Sequence, residues 1–136
     1  MTYVRILPAI KRQYISFYTS GFFIFKMSVN SGSEVVVDWG DDFNIIWEAD
    51  GTEKTVIHNY VLPGEYAVRL EGDFLGVTGI SLANQTSCYG CFNIFNIFEN
   101  LSSLDLQDKG FYGALYHIEH LVNLVYLNIS NTQITS

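Results

Sequence analysis

Basic residues are scarce in this sequence. Only 7 of its 136 residues are lysine or arginine, against 14 acidic residues, and the net charge is −7 at pH 7. Just one of the basic residues comes after Asp73. Nucleic-acid binding needs clusters of lysine and arginine that neutralise phosphates. We therefore expect no nucleic-acid partner.

Long apolar runs are missing as well. No stretch reaches the roughly 18 to 20 apolar residues that a membrane-spanning helix needs. Residues 14–25 follow Lys11 and Arg12 like the core of a signal peptide, but Ser20 and Gly21 interrupt them and no small-x-small cleavage site follows. We expect a strand, a turn at Ser20-Gly21 and a second strand there instead. The sequence thus predicts no membrane span and shows no signal peptide.

Motifs of catalysis are absent too. The sequence contains no Gly-x-Ser-x-Gly elbow, no phosphate loop and no dinucleotide fingerprint. A nucleophile needs a positioned base and an orienting group, and none of the three histidines lies near such an elbow. Asp105 and Asp108 would form a glycosidase pair only if a cleft held them at the required separation. We therefore expect no enzymatic activity and no cofactor.

Apolar residues are plentiful, and in the second half of the chain they repeat. They make up 49% of the sequence, which is enough for a substantial core. One apolar triplet returns at steps of 24 and then 23 residues. A fixed period in the twenties predicts units of a strand plus a return segment, each stacked on its neighbours. The three triplets are Val77-Ile80-Leu82, Leu101-Leu104-Leu106 and Leu124-Leu127-Ile129.

These units resemble leucine-rich repeats. The position that normally holds a ladder asparagine carries Gln85, Lys109 and Thr132 in the three units. The resemblance implies stacked units whose turns are less regular than those of the family. In the middle unit, the residues at the family's inward positions are Phe111, Gly113, Leu115, Ile118 and Leu121.

The first half of the chain alternates as β-strands do. A strand predicted over residues 44–49 ends at Asp50-Gly51, a strong hairpin signal. Strands over 54–60 and 65–71 are joined by Leu62-Pro63-Gly64, which suits a turn. Short strands at this spacing predict an antiparallel sandwich. The inward residues of the first strands are predicted to be Phe23, Phe25, Met27 and Val29, then Val35, Val37 and Trp39.

Three motifs in this region resemble the signature of a PKD-type domain, an immunoglobulin-like sandwich. They are Asp38-Trp39-Gly40-Asp41, His58-Asn59-Tyr60 and the segment from Pro63 to Val68. Asp42 stands where the family usually has glycine. We expect Asp38, Trp39, Gly40, Asp41, His58 and Tyr60 to form scaffold, with the aspartates accepting hydrogen bonds in a turn and the indole filling the sandwich.

The predicted fold is therefore mainly β, in three segments. Residues 1–13 form a lead-in segment, residues 14–75 a small PKD-like antiparallel sandwich, and residues 76–136 a short leucine-rich repeat solenoid of about three repeats. We expect the sandwich to cap the N-terminal end of the solenoid, because an uncovered stack end exposes core.

Two clusters have residue types that bind metals. Cys88, Cys91, His117 and His120 have spacings familiar from zinc sites, but the repeat register predicts Cys91 inward and both histidines outward. Asp38, Asp41 and Asp42 could hold calcium, although aspartates in a turn usually bond to their own backbone. We expect no metal at either cluster, and a Cys88–Cys91 disulfide would need demanding geometry.

The outward residues of the repeat strands form a small polar face. We expect it to bind a partner through Ser103, Asp105 and Asn128, with Tyr126 as the aromatic anchor. Gly79 and Ser81 belong to the same face. The alternative is a carbohydrate-binding module that uses exposed aromatic residues, Trp47 and the tyrosines, to stack on sugar rings, with calcium as an optional aid.

The two resemblances together imply a non-enzymatic protein-interaction or adhesion module of a bacterial surface-type protein, at the cell surface or secreted. The last triplet ends close to Ser136 without a polar cap. Because open strand edges pair, we expect either self-association through the last repeat or a longer repeat array. A protein partner, a second copy and a glycan therefore all stay open.

Overall fold

The computed structural model describes residues 12–19 as backbone, and residues 22–83 and 88–136 with their side chains. Within these ranges the chain forms twelve strands and three short 3-10 helices, over Phe74–Gly76, Phe92–Ile97 and Leu115–Ile118. The strands are β1 Arg12–Thr19, β2 Phe22–Val29, β3 Val35–Asp38, β4 Asn44–Ile46, β5 Glu53–Asn59, β6 Gly64–Gly72, β7 Val77–Ser81, β8 Cys88–Cys91, β9 Ser103–Asp105, β10 Gly110–Ala114, β11 Tyr126–Asn128 and β12 Gln133–Thr135.

The strands form two sheets, and the protein is mainly β as predicted. One sheet has seven strands in the order β12-β10-β8-β1-β6-β3-β4, and the other has five in the order β11-β9-β7-β2-β5. Strands β1 to β6 pair antiparallel, whereas β7, β9 and β11 pair parallel to one another, as do β8, β10 and β12. The β1–β8 and β2–β7 pairs are antiparallel and join the two kinds of strand. Each sheet therefore runs through both halves of the chain.

The core lies between the two sheets. β2 alternates along its length, and its inward side chains Phe23, Phe25, Met27 and Val29 are fully buried. Val35, Val37 and Trp39 are buried in the same way on β3 and just after it. The predicted inward faces of these two strands are confirmed, because alternation with a period of two places every second side chain on one side of a sheet.

The parallel strands place equivalent residues of the three triplets side by side. Ile80 pairs with Leu104, and Leu104 pairs with Leu127. Ile80 and Leu104 are buried, at 2% and 0% exposure, whereas Leu127 is 37% exposed. Phe111, Ile118 and Leu121 are buried as predicted, while Leu115 is half-buried.

The predicted hairpin at Asp50-Gly51 is wrong. β4 pairs with β3 in the seven-stranded sheet, whereas β5 pairs with β2 in the five-stranded sheet. The turn thus carries the chain from one sheet to the other. Two contacts fix the crossing, since the Trp47 Nε1 donates to the carbonyl of Met27 at 3.1 Å and the Gly51 N–H donates to the carbonyl of Val29 at 2.8 Å.

The turn at Leu62-Pro63-Gly64 also crosses between sheets, because β6 pairs with β1 and β3 and not with β5. β1 begins at Arg12, inside the predicted lead-in segment. The predicted turn at Ser20-Gly21 and the ladder position Gln85 lie outside the described residues. None of the helices among the described residues has the length and apolar character needed to cross a membrane.

Candidate functional site

The outward side of the five-stranded sheet, called the sheet face below, carries the residues predicted to bind a partner. The strand pairing aligns these residues in two rows that continue beyond the repeat strands onto β2 and β5. The face is therefore larger than the six residues predicted for it. The first row is Asn128, Asp105, Ser81, Lys26 and Thr55, and the second is Tyr126, Ser103, Gly79, Ser28 and Glu53.

The second row of the sheet face is low at its centre and higher at its two ends. Gly79, Ser28 and Ser103 occupy the centre of the second row, and a Cβ at Gly79 would lie 3.2 Å from Oγ of Ser28. Tyr126 closes this row on β11 and is 49% exposed. Glu53 closes it on β5 and is exposed. An opposing surface can therefore approach the sheet closely between these two side chains.

Turn bonds hold the predicted residues Asp105 and Asn128 in place. Oδ1 of Asp105 accepts from the N–H of Gln107 at 3.1 Å, and Oδ1 of Asn128 accepts from the N–H of Ser130 at 3.1 Å. The Asn128 amide also donates to Oε1 of Gln107 at 3.2 Å. Such bonds fix the side-chain orientation at the end of each strand.

Trp47 does not belong to an exposed site, and this expectation is wrong. Its side chain is 2% exposed and packs edge-on against Phe25, with ring centroids 5.4 Å apart. A sugar ring has no access to it. The sequence did contain a signal for the burial of Trp47. Side chains alternate over residues 44–49, and Trp47 lies midway between Ile45 and Ala49, which pack against the core.

The turn after β3 is held by charged and backbone contacts. Oδ1 of Asp38 accepts from the N–H of Gly40 at 2.9 Å, and Oδ2 receives the Arg69 guanidinium at 3.0 Å. Arg69 also contacts Glu71, with Nε to Oε1 at 2.7 Å. Asp42 has a φ of 73°, which explains why a glycine suits this position.

The aromatic residues of the same motif pack together. The His58 ring stacks on Trp39 with centroids 4.8 Å apart, and its Nε2 lies 2.7 Å from Oδ2 of Asp41. The hydroxyl of Tyr60 donates to the carbonyl of Trp39 at 2.8 Å. Burial raises the pKa of the Tyr60 phenol, and the charge of Asp41 adds to this shift. All six predicted motif residues thus lie in one connected cluster around the turn.

Neither metal candidate forms a site among residues 22–83 and 88–136, where no group of three His, Cys, Asp or Glu side chains is arranged for a metal ion. Two of the calcium candidates, Asp38 and Asp41, bond to Arg69 and His58 instead. In the zinc cluster, Nε2 of His120 lies 2.7 Å from the carbonyl oxygen of Asn96. The His117 ring packs against the Tyr116 ring, with ring centroids 4.2 Å apart.

The inward cysteine is Cys88 and not Cys91, contrary to the prediction. Cys88 is 2% exposed, Cys91 is half-buried, and both are free thiols. The strand pairing places Cys91 beside Tyr112, which is exposed, and not at the level of Leu115. Burial raises the pKa of the Cys88 thiol.

A ladder of side-chain hydrogen bonds connects successive units, at positions that the sequence did not predict. Asn100 donates to the carbonyl of Leu75 at 2.8 Å, Asn123 donates to Oδ1 of Asn100 at 3.3 Å, and Asn131 donates to Oδ1 of Asp108 at 2.7 Å. At the expected ladder position, Lys109 is 5% exposed. The sequence feature that could have predicted this ladder is an asparagine directly before the first leucine of two triplets, Asn100 before Leu101 and Asn123 before Leu124.

No protein-family model matches this chain, and no curated protein or solved structure has significant similarity to it. The fold and the sheet face therefore assign the protein to a structural class and not to a family. The protein is a mainly β protein whose two sheets each combine antiparallel and parallel strands, with a polar outward face on the smaller sheet.

Proposed function

We propose that this protein is a non-enzymatic interaction module that binds a protein partner on the sheet face. In this proposal a PKD-like sandwich is joined to a short leucine-rich repeat stack. The connected cluster of Asp38, Trp39, Asp41, His58 and Tyr60 supports the first part. The parallel pairing of strands 23 or 24 residues apart supports the second.

The two rows of the sheet face are the observation that carries the proposal. Five strands align polar side chains in two rows, and the second row is small at its centre and has an exposed tyrosine at one border. Protein interfaces combine a few aromatic anchors with many modest contacts. Tyr126 supplies the anchor, and Ser28, Gly79 and Ser103 leave room for the partner's side chains.

The role expected from the two resemblances is adhesion by a bacterial surface-type protein. Residues on strands are held more precisely than residues on loops, so the sheet face presents its side chains in a fixed arrangement. The carbohydrate alternative is weaker, since Trp47 is buried and only tyrosines, among them Tyr112, Tyr116 and Tyr126, are exposed for it. A protein partner is therefore the first to seek.

A photocrosslinking residue at Ser103 tests the proposal. The partner should crosslink to the full chain through position 103 on β9, but not through Glu65, which is exposed on β6 of the other sheet. Once captured, the partner should bind the Tyr126→Ala variant at least about tenfold more weakly than the parent chain. Tyr112→Ala is the matched control, because Tyr112 is 54% exposed on the seven-stranded sheet.

Two results would contradict the proposal. One is equal crosslinking through Glu65, and the other is a loss of binding with Tyr112→Ala that Tyr126→Ala does not show. A panel of polysaccharides should give no binding that depends on Tyr126. Binding of a polysaccharide that Tyr126→Ala removes would support the carbohydrate alternative in its place.

A further inference from the structure

We infer that Asp50 is a site of covalent modification, the spontaneous isomerisation of aspartate to isoaspartate, which the contacts of the folded turn at Asp50-Gly51 hold back. This dipeptide is the one place in the sequence where a glycine follows an aspartate or an asparagine. Because glycine has no Cβ, its backbone nitrogen reaches the preceding side chain with the least steric hindrance. The inference is independent of the proposed function.

The reaction needs no reagent besides water. The backbone nitrogen of Gly51 attacks Cγ of Asp50 in its neutral carboxylic acid form, a nitrogen–carbon bond forms, and the acid OH leaves as water with the proton of the nitrogen. A second water molecule then opens the five-membered succinimide. Cleavage of the bond to the backbone carbonyl leaves the nitrogen on Cγ, so the product is isoaspartate and its backbone is longer by one methylene group.

A backbone hydrogen bond restrains the attacking nitrogen. The Gly51 N–H donates to the carbonyl of Val29 at 2.8 Å, and an N–H bound in this way does not give up its proton to base, as the attack requires. The bond belongs to the crossing between the two sheets, where the Trp47 Nε1 also donates to the carbonyl of Met27. The nitrogen can therefore reach the Asp50 side chain only after this crossing opens.

Side-chain contacts hold Asp50 in its unreactive form. Its Oδ1 accepts from the N–H of Thr52 at 2.9 Å and from the Thr52 hydroxyl at 2.6 Å, while the Lys54 Nζ lies 2.8 Å from its Oδ2. These contacts, that of Lys54 first, lower the pKa of Asp50 well below its usual range. A carboxylate resists attack because its charge repels the nucleophile and its oxygen is a poor leaving group. The folded turn thus restrains both reacting groups.

Burial gives the turn no further protection. Asp50, Gly51 and Thr52 are all exposed, and a Cβ at Gly51 would meet nothing within 4 Å. Water and base therefore have free access to the turn. Segments held by exposed hydrogen bonds open locally more often than the core does, so the rate of isomerisation reports how often this turn opens.

Incubation of the full chain near neutral pH, folded and in guanidinium chloride, tests the inference. Isoaspartate is located by peptide mapping with mass spectrometry and by labelling with isoaspartyl methyltransferase. The unfolded chain should accumulate isoaspartate at Asp50, and the folded chain should do so at least about tenfold more slowly, because it reacts only through its open fraction. Asp108, another exposed aspartate, precedes a lysine and should stay unmodified in the same digest.

Lys54→Met separates the side-chain contacts from the rest of the fold. It should raise the rate in the folded chain roughly two- to fivefold, the range that an exposed ion pair supports. Thr52→Val, which removes the hydroxyl contact, should act in the same direction. Lys26→Met is the matched control, since Lys26 lies on β2 and is half-buried, and it should leave the rate unchanged. Circular dichroism checks that each variant is folded.

Three results would overturn the inference. The first is equal accumulation of isoaspartate at Asp50 in the folded and the unfolded chain, and the second is its absence from both. The third is a folded-chain rate that neither Lys54→Met nor Thr52→Val raises above the rate with Lys26→Met.

Discussion

Asn123 and Asn100, 23 residues apart in the sequence, are joined by a hydrogen bond between their side-chain amides at 3.3 Å. Asn100 in turn donates to the carbonyl of Leu75 at 2.8 Å. Each bond crosses from one parallel strand unit to the next. Side chains on the connecting segments therefore reinforce the strand pairing of β7, β9 and β11.

The position of Asn100 in the middle of this ladder predicts an asymmetric effect of substitution. Asn100→Ala removes two hydrogen bonds and should lower the free energy of unfolding by about 1 kcal/mol, whereas Asn123→Ala removes one and should cost about half as much. Urea unfolding of both single variants and the double variant measures the difference. A larger loss with Asn123→Ala than with Asn100→Ala would contradict the ladder.

Gly40 and Gly51 allow the cost of backbone strain to be separated from the cost of a clash. Both have positive φ, 86° and 85°. A Cβ at Gly40 would lie 2.6 Å from the carbonyl oxygen of Ala67, but at Gly51 it would meet nothing within 4 Å. Gly51→Ala should cost about 1 kcal/mol of unfolding free energy from strain alone, and Gly40→Ala roughly 1 to 3 kcal/mol more.

Thermal or urea unfolding of the two glycine variants gives both values. Equal losses would mean that the turn after β3 moves away from Ala67 when a methyl group is added. That outcome would also weaken the assignment of Gly40 to the scaffold.

Tyr60 predicts a loss of stability at alkaline pH. Burial raises the pKa of its phenol in the folded protein, while in the unfolded chain the phenol ionises near pH 10. Above about pH 10 the unfolded chain therefore loses a proton that the folded protein keeps, and stability falls as the pH rises. Below about pH 10 the phenol is protonated in both states, so its ionisation takes nothing from the stability.

The Tyr60→Phe variant tests this account. It should lower the free energy of unfolding at pH 7 by about 1 kcal/mol, because the hydrogen bond to the Trp39 carbonyl is lost. It should also flatten the decline of stability above about pH 10. Tyr112→Phe, at an exposed tyrosine, is the matched control. A decline as steep in Tyr60→Phe as in the parent chain would show that another group causes it.

The two cysteines should react with alkylating reagents at different rates. Cys88 is 2% exposed and burial raises its pKa, so it holds little of the reactive thiolate. Cys91 is half-buried and should be modified first in the native protein. Mass spectrometry after brief treatment with iodoacetamide identifies the site, and Cys91→Ser should remove the early product. Equal early modification of both thiols would contradict the burial of Cys88.

Much of the strand pattern could be predicted from the sequence, because alternation is a local property. Phe23, Phe25 and Met27 are inward since every second side chain of a strand points the same way. The pairing partners could not be predicted in this way. Asp50-Gly51 has the residues of a hairpin turn, yet it connects two sheets because the burial of Trp47 between them decides the path of the chain.

The candidate site was predictable in its repeat strands and not beyond them. Spacing alone placed Ser103 and Tyr126 on one face, where the strand pairing has them. The extension of this face to Lys26 depends on β2 pairing with β7, a contact between distant parts of the chain that no local pattern encodes. The predicted register of Cys91 failed because the spacing differs between units, since Cys91 lies nine residues after Leu82 but its partner Tyr112 lies six residues after Leu106.

The common step of 23 or 24 residues has a consequence for how this chain tolerates insertions and deletions. A single residue added within β9 would turn Leu104 from the core to the surface, since side chains alternate along a strand. A complete unit inserted between β9 and β11 would leave every inward leucine inward and add one strand to each sheet. Changes of length in this part of the protein are therefore tolerated in whole units, and shorter changes only in the turns.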